Sequence, residues 1–362
     1  MTYDKGSLAA IVLDSLVGLE YKHKIKLLQS VRDPKELFCL PVDADEYLSS
    51  VLGQAKANTV RTALKDADYH RYVIEGLNEK GTKCIPITDE NDYPFLLRNS
   101  HLPPFVLYCN GNTDLLKTEY PFAIVGSRKC LPNYNAYAEN YAKDLSLAGA
   151  TIVTGCAGGA DTAAIKGALD TGRIISVIAG GIDHIYPEYS KSLVKNIVEN
   201  GLVVSEYPPD YSVKPWMFPM RNRIIAGLSK GVLIVGGDLD SGARYTAASA
   251  VEYGREVFAF PYSLGIKSGE LNNSLIKSGA AICTELKDVT DFLGIKTQKE
   301  EQTDLSGDLK EVYELIKSGV DETFRLVERT EIPVFELSAI LSELEIDGLI
   351  VKLSGNKYKT VK

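Results

Sequence analysis

The strongest constraint on the fold is an alternation, between residues 122 and 293, of short Val- and Ile-rich runs with longer amphipathic stretches. We predict strands at residues 122–125, 152–153, 174–178, 202–204, 232–235 and 257–260. We predict helices at residues 134–148, 160–169, 190–200, 217–228 and 243–254. Continuous apolar strands that alternate with helices indicate a parallel sheet covered on both faces. The pattern therefore predicts an α/β domain, a Rossmann-like doubly wound parallel sheet, over residues 120–296.

The segments on either side of this domain have different patterns. Residues 1–80 carry apolar residues at helical spacing, broken by prolines, which predicts a small helical domain. Residues 81–119 contain two short strand candidates and are expected to form a connector that packs on the sheet domain. Residues 297–307 are polar and aperiodic, which predicts a linker. Residues 308–362 follow the order helix, helix, helix, hairpin of a winged-helix domain.

Composition excludes several classes of protein. No apolar run approaches the roughly 18 residues of a membrane helix, and the first residues do not resemble a secretory signal. The six cysteines and four histidines lack metal-ligand spacing, so we expect free thiols in a cytoplasmic protein with no metal and no cofactor. The net charge is -8, so any nucleic acid must bind in a local basic pocket.

The first candidate binding motif follows the first predicted strand of the sheet. Gly126 allows a ligand to approach the backbone, and Ser127 offers a hydroxyl group. Arg128 offers a guanidinium that can hold a phosphate in a bidentate manner. A tight turn with an exposed arginine explains these residues equally well.

The second motif is glycine-rich and follows the second predicted strand. Gly155, Gly158 and Gly159 leave backbone N–H groups free to hold a phosphate at the start of a helix. Their spacing matches neither the dinucleotide fingerprint nor the Walker A loop, so a phosphate site is favoured over a dinucleotide site. We expect Asp161 to cap the helix.

The third motif lies at the start of the predicted helix 217–228. Arg221 and Arg223 point in different directions on a helix, so one is expected to contact phosphate while the other braces the loop. Phe218 and Trp216 are candidates for stacking on a base. Burial in the core is the alternative for both, and it fits Trp216 better than Phe218.

The fourth motif, after the strand at residues 232–235, again places small residues before a helix. Ser241 and Gly242 suit an anion by the same helix-terminus argument. In a parallel sheet all four turns meet at the carboxyl edge, where such sheets bind ligands. The sequence therefore predicts a phosphate-bearing or polyanionic ligand at that edge.

Catalytic groups are not evident in the sequence. It lacks a G-x-S-x-G elbow and paired carboxylates at one strand end, and the neighbours Asp183 and His184 fit a structural role better. We therefore predict a binding protein, not an enzyme, with no catalytic residues.

Seven segments of the sequence together resemble the DNA-processing protein A family, also called DprA or Smf. They are residues 123–128 (AIVGSR), 180–187 (GGIDHIYP), 205–209 (SEYPP), 218–229 (FPMRNRIIAGLS), 241–243 (SGA), 254–259 (GREVFA) and 273–276 (NSLI). The resemblance extends over essentially the whole chain and is densest from residue 122 to 293.

The resemblance implies a sterile-alpha-motif-like or helix-hairpin-helix N-terminal domain, a Rossmann-like core and a C-terminal winged-helix domain. It implies single-stranded DNA binding, homodimerisation, and loading of RecA recombinase to protect incoming strands during natural transformation. The DNA-binding residues that it implies are Gly126, Ser127, Arg128, Gly155, Lys214, Phe218, Arg221, Arg223, Ser241 and Gly242.

Two other functions remain open on sequence grounds. One is an enzyme of the related lysine-decarboxylase-like fold that cleaves nucleoside monophosphates, although the expected Thr and Glu do not follow Gly236 and Gly237. The other is a nucleotide-sensing module without turnover, which would bind mononucleotides as well as oligonucleotides.

Overall fold

The computed structural model describes residues 2–16, 19–39, 42–295, 307–353 and 355–360. They belong to two compact units, one within residues 1–295 and the other within residues 296–362. Within these residues, no helix is both long and apolar enough to cross a membrane.

The bounds of the regular elements follow the chain in order. The helices are α1 (Lys5–Ser15), α2 (Tyr21–Gln29), α3 (Val42–Leu52), α4 (Gln54–Lys65), α5 (Ala67–Glu79), α6 (Phe95–Arg98), α7 (Pro132–Leu147), α8 (Ala160–Leu169), α9 (Lys191–Asn200), α10 (Met217–Gly227), α11 (Ala243–Glu252), α12 (Glu270–Lys277), α13 (Leu286–Leu293), α14 (Asp308–Lys317), α15 (Thr323–Thr330) and α16 (Val334–Ile346). The strands are β1 (Lys83–Pro86), β2 (Val106–Gly111), β3 (Pro121–Val125), β4 (Thr151–Thr154), β5 (Ile174–Val177), β6 (Leu202–Ser205), β7 (Gly231–Ile234), β8 (Glu256–Ala259), β9 (Ala281–Ile282), β10 (Ile350–Leu353) and β11 (Lys357–Thr360).

The first unit contains a sheet with the strand order β1-β2-β6-β5-β4-β3-β7-β8-β9 in its described residues. The run β6-β5-β4-β3-β7-β8-β9 is parallel throughout. At the other edge, β2 is antiparallel to β6 and β1 is antiparallel to β2. The predicted Rossmann-like parallel sheet is therefore confirmed. All six predicted strands form, and β9 extends the sheet beyond them.

Strand β3 shows why the predicted strands are apolar at every position. Phe122 and Ile124 pack into the core on the side of α7, α8, α9 and α13. Ala123 and Val125 pack into the opposite core, on the side of α10, α11 and α12. Because successive side chains point to opposite faces, a strand covered on both sides has no position for a polar residue.

The N-terminal helices pack on the antiparallel edge of the same unit. Ile11 of α1 and Leu64 of α4 share a core with Tyr108 of β2, whereas Leu107 of β2 belongs to the core of the sheet domain. The connector at residues 81–119 thus supplies β1 and β2. The domain boundary at residue 80 remains a prediction.

The second unit consists of α14, α15, α16 and the β10–β11 hairpin, the order predicted for a winged helix. Val312, Leu326, Leu341 and Tyr358 form its core. The predicted linker at residues 297–307 lies outside the described residues except for Gly307, which caps α14.

Candidate functional site

A cleft of about 310 Å³ opens at the carboxyl ends of the central strands of the first unit. Strand β3 is the point where the strand order changes direction, since it is followed along the chain by β4 on one side and pairs with β7 on the other. Ligands of open α/β sheets bind at such a switch point. Seven predicted site residues line the opening, which we call the rim cleft: Gly126, Ser127, Arg128, Phe218, Arg221, Ser241 and Gly242.

The turn after β3 is held against the turn after β7. The Ser127 amide donates to the Gly236 carbonyl at 2.8 Å. Gly126 is required here, because a Cβ would lie 2.7 Å from the Cβ of Ala160. The next two residues, Arg128 and Lys129, are exposed at the mouth of the rim cleft. This turn therefore presents two cations on a fixed backbone.

The turn after β4 lies beneath the rim cleft. A Cβ on Gly155 would lie 2.4 Å from Oδ2 of Asp161 and 2.8 Å from the guanidinium of Arg221. Gly159 has φ +74° and sits against the backbone of Ser127. Gly155 thus does not line the opening, but it makes room for the charged pair that forms its floor.

Asp161 is a buried carboxylate in this floor. Burial raises its pKa to about 6, against the attraction of the Arg221 guanidinium and the N–H groups of Ala157 and Gly126. The Ala157 amide donates to Asp161 Oδ2 at 3.3 Å. The expected capping role of Asp161 is wrong, because the N-cap of α8 is Gly159 and no side chain caps it; Asp161 instead orders the turn that leads into the helix.

Helix α10 forms one wall of the rim cleft. Arg221 is 6% exposed and donates from Nη1 to the Val177 carbonyl, so its charge is largely built into the fold. Asn222 Nδ2 donates to the Gly242 carbonyl at 3.1 Å and ties the wall to the turn after β7. The Arg128 guanidinium lies over the Phe218 ring at 5.5 Å. This wall offers an aromatic face beside an exposed cation.

Besides Gly155, two predicted site residues do not line the rim cleft, Arg223 and Lys214. Arg223 is buried and forms an ion pair with Glu206, and it also donates to the Leu102 carbonyl. Lys214 is exposed and lies 5.8 Å from the centre of the Tyr211 ring. Arg223 is thus the bracing arginine of the pair and Arg221 the one that faces the cleft.

Sequence reasoning missed five polar residues that line the rim cleft: Lys129, Asn222, Asp238, Tyr245 and Thr246. Each is one to four residues from a residue that was named, so the motifs themselves could have pointed to them. The sequence favoured a core position for Trp216 more than for Phe218. That expectation is wrong, because Trp216 is 52% exposed.

The charges of the rim cleft favour an anion. Its lining contains three cations, Arg128, Lys129 and Arg221, against two carboxylates, Asp161 and Asp238. The chain as a whole carries a net charge of -8, so this local excess of positive charge is set by position and not by composition. Among the described residues, no group of three or more His, Cys, Asp and Glu side chains could hold a metal ion.

Known proteins resemble both units of the chain. Residues 84–294 match the family of DNA recombination-mediator protein A, and residues 296–356 match the DprA winged helix domain. Protein Smf of Escherichia coli is 32% identical over 331 residues, which cover 87% of this chain and 88% of that protein. DNA processing protein DprA of Bacillus subtilis is 38% identical over 225 residues, or 61% of this chain and 74% of that protein.

Two solved structures share the fold. DNA processing protein A of Streptococcus pneumoniae superposes with a TM-score of 0.67 at 30% identity, over 80% of this chain and 98% of that one. DNA processing protein A of Helicobacter pylori, described for its single-stranded DNA binding mode, superposes with a TM-score of 0.54 at 31% identity, over 59% of this chain and 96% of that one. Because one family model matches more than half of its residues, the chain belongs to the DNA recombination-mediator protein A family.

Proposed function

We propose that this chain binds single-stranded DNA in the rim cleft and acts as a cytoplasmic recombination mediator. The observation that supports this proposal most strongly is the lining of the rim cleft, where the exposed Arg128 and Lys129 lie beside the Phe218 ring at the switch point of the sheet. Cations hold the phosphates of a strand, and an aromatic face stacks on its bases without regard to sequence.

An unpaired strand fits this arrangement better than a duplex does. Phe218 is partly exposed on the cleft wall, with Tyr186 against its ring at a centroid distance of 5.9 Å. Stacking on these rings requires a base whose faces are free, and such bases occur in single strands. The Helicobacter pylori relative was studied for its binding of single-stranded DNA, which supports the same assignment.

Family membership supports the finer role of this protein. We propose that the chain forms a homodimer, protects incoming single strands and loads RecA recombinase onto them during natural transformation. We propose no catalytic residue in the rim cleft, where the buried Asp161 orders a turn and Asp238 is half-buried in the lining.

Fluorescence anisotropy tests the DNA-binding proposal directly. A labelled single strand and the same sequence as a duplex are titrated with the full chain, and we expect the single strand to bind at least about tenfold more tightly. Equal affinity for both forms would contradict the proposal. Incubation with nucleoside monophosphates, followed by chromatography for a released base, separates binding from the alternative enzyme.

RecA loading needs a separate measurement. The ATPase activity of RecA is recorded on DNA covered by single-strand-binding protein, with and without this chain, and an increase with the chain is expected. Sedimentation of the chain alone gives its oligomeric state. A chain that binds single strands but leaves RecA activity unchanged would retain the first proposal and remove the loading role.

A further inference from the structure

A second cavity, of about 520 Å³, lies in the same unit between the first two helices and the end of β6. Its walls are rich in aromatic and apolar side chains, and we call it the aromatic cavity: Tyr21, Phe105, Tyr207, Tyr211, Trp216 and Met220. The volume lies in the range of small-ligand sites, which are mostly apolar with a few polar groups. Neither the family resemblance nor the rim cleft accounts for it.

The aromatic rings of this cavity are arranged in series. Tyr207 and Tyr211 stack with centroids 4.9 Å apart, and Trp216 meets Tyr207 edge-on at 6.4 Å. Trp216 is 52% exposed and Tyr211 is 37% exposed. Trp216 meets its neighbour only at an edge and is half exposed, so its ring has surface on which another flat ring can stack.

The charged groups in the aromatic cavity are already paired. Asp14 binds Lys24 at 2.7 Å, and Glu206 binds Arg223, with these four side chains less than a fifth exposed. The fifth charged residue of the lining, Glu20, is exposed and pairs with Lys22 at 2.9 Å. The interior therefore offers no spare cation for a phosphate.

Helix α10 stands between the aromatic cavity and the rim cleft. Phe218 and Arg221 of this segment line the rim cleft, whereas Trp216, Met220 and Arg223 line the aromatic cavity. A helix is about 10–12 Å across with its side chains. At about 3.4 Å per nucleotide, three or four stacked nucleotides cross that distance.

We propose that the aromatic cavity takes a nucleobase of the same single strand that occupies the rim cleft, with Trp216 stacking on it. The inference rests on the proposed function, because the strand must already be held in the rim cleft. A neutral, flat ring matches the paired charges and the open aromatic faces of the cavity. The phosphates stay outside, where Lys214 lies over the Tyr211 ring.

Tryptophan fluorescence tests this placement, because Trp216 is the only tryptophan in the chain. The full chain is titrated with oligothymidylates of about 2 and about 20 nucleotides, because about two nucleotides are too short to cross helix α10 and about 20 exceed the site sizes of single-strand binders. We expect the longer strand to quench Trp216 emission and the shorter one to bind the rim cleft with little quenching. Equal quenching by both lengths, or by neither, would overturn the inference.

Substitution gives an independent readout by anisotropy. Trp216→Ala is expected to weaken binding of the longer strand by about 5- to 100-fold, the range for loss of one stacked base, and to leave the shorter strand within about twofold. Met220→Glu, on the same wall, is expected to act in the same direction. The matched control is Phe95→Ala, an aromatic residue 78% exposed that lines neither cavity, and it should change neither affinity.

The two proposals fail in different ways. If the chain binds neither strand, the proposed function fails. If both strands bind and weaken with Arg128→Ala, but Trp216→Ala and Met220→Glu change nothing, the rim cleft stands and the aromatic cavity does not bind a base. Thermal unfolding of each variant confirms that a loss of affinity is not a loss of fold.

Discussion

The rim cleft of the first unit is the site proposed here for single-stranded DNA, and helix α16 of the second unit has the position of the helix that contacts DNA in helix-turn-helix proteins. The rim cleft has an excess of cations. In contrast, α16, the third helix of the winged helix and the element that reads DNA in helix-turn-helix proteins, carries Glu336, Glu343 and Glu345 and no Lys or Arg. Phe335 and Ile346 on this helix are 80% and 85% exposed.

This difference indicates that the ligand each unit can bind depends on where its charged residues lie, and not on its fold alone. A helix that presents carboxylates repels phosphates, so α16 is unsuited to duplex DNA. Within the rim cleft, the cations also differ among themselves, since Arg221 is buried and Arg128 is exposed. The following predictions test these contrasts.

The largest expected effect is on stability, from the buried cation of the rim cleft. Arg221→Ala leaves the buried Asp161 carboxylate without its counter-charge, and it should lower the free energy of unfolding by about 3–5 kcal/mol. Urea unfolding followed by Trp216 emission reports on the first unit alone. The control Lys143→Ala, an exposed cation of α7 in the same unit, should stay within about 0.5 kcal/mol. A loss under 1 kcal/mol for Arg221→Ala would show that its charge is not built into the fold.

The exposed cation should affect binding and not stability. Arg128→Ala is expected to weaken single-strand binding about tenfold for all sequences and to lower the slope of log affinity against log salt by about one. Anisotropy titrations at several salt concentrations measure both quantities. Arg329→Ala, which removes an exposed cation from α15 of the second unit, serves as the control. If the two variants gave the same slope, the contrast between the two units would be broken.

A smaller effect follows from the raised pKa of Asp161, which burial brings to about 6. The folded state binds this proton more tightly than the unfolded chain, so ionisation costs stability as the pH rises from about 4 to about 6. We compare the free energy of unfolding of Asp161→Asn with that of the parent chain. The variant should become more stable relative to the parent as the pH rises from about 4 to about 6, and the difference should be constant above that range.

Asp288 provides a control of opposite sign. Burial acts to raise its pKa, but the amides of Thr284 and Glu285 outweigh burial and lower it. The ionised form thus stabilises the fold, so Asp288→Asn should lose stability relative to the parent as the pH rises. Urea unfolding at a series of pH values measures both variants. Parallel pH profiles for the two would refute the assigned causes.

The smallest effect is expected from removal of the second unit. A chain that ends at residue 295 keeps the whole sheet and the rim cleft, so its single-strand affinity should stay within about twofold of the full chain. Anisotropy with the same labelled strand measures this. A drop of tenfold or more would mean that the acidic winged helix holds DNA after all.

The elements of the sheet domain could be predicted because each is encoded locally. The predicted helix at residues 160–169 has the observed bounds of α8, and the six strands are displaced by at most one residue at either end. Buried strands require continuous apolar runs and amphipathic helices require a 3.6-residue period, and both signals are visible in short windows.

Features that depend on distant parts of the chain could not be predicted. Glu206 is 17 residues from Arg223 in sequence, and the sheet topology brings the two together. The position of β2 beside β6 and the exposure of Trp216 also depend on how elements pack. The helical period showed that Arg221 and Arg223 diverge, but it did not show which of them lines the rim cleft.

The strand order around β3 has a consequence for how such a cleft can vary. The turns after β3, β4 and β7 leave the sheet at separate strands, and each begins and ends in regular structure. One turn can gain, lose or exchange residues without a change in the hydrogen-bond register of the strands. The residues that line the cleft can therefore change one turn at a time, while the sheet that carries the turns stays the same.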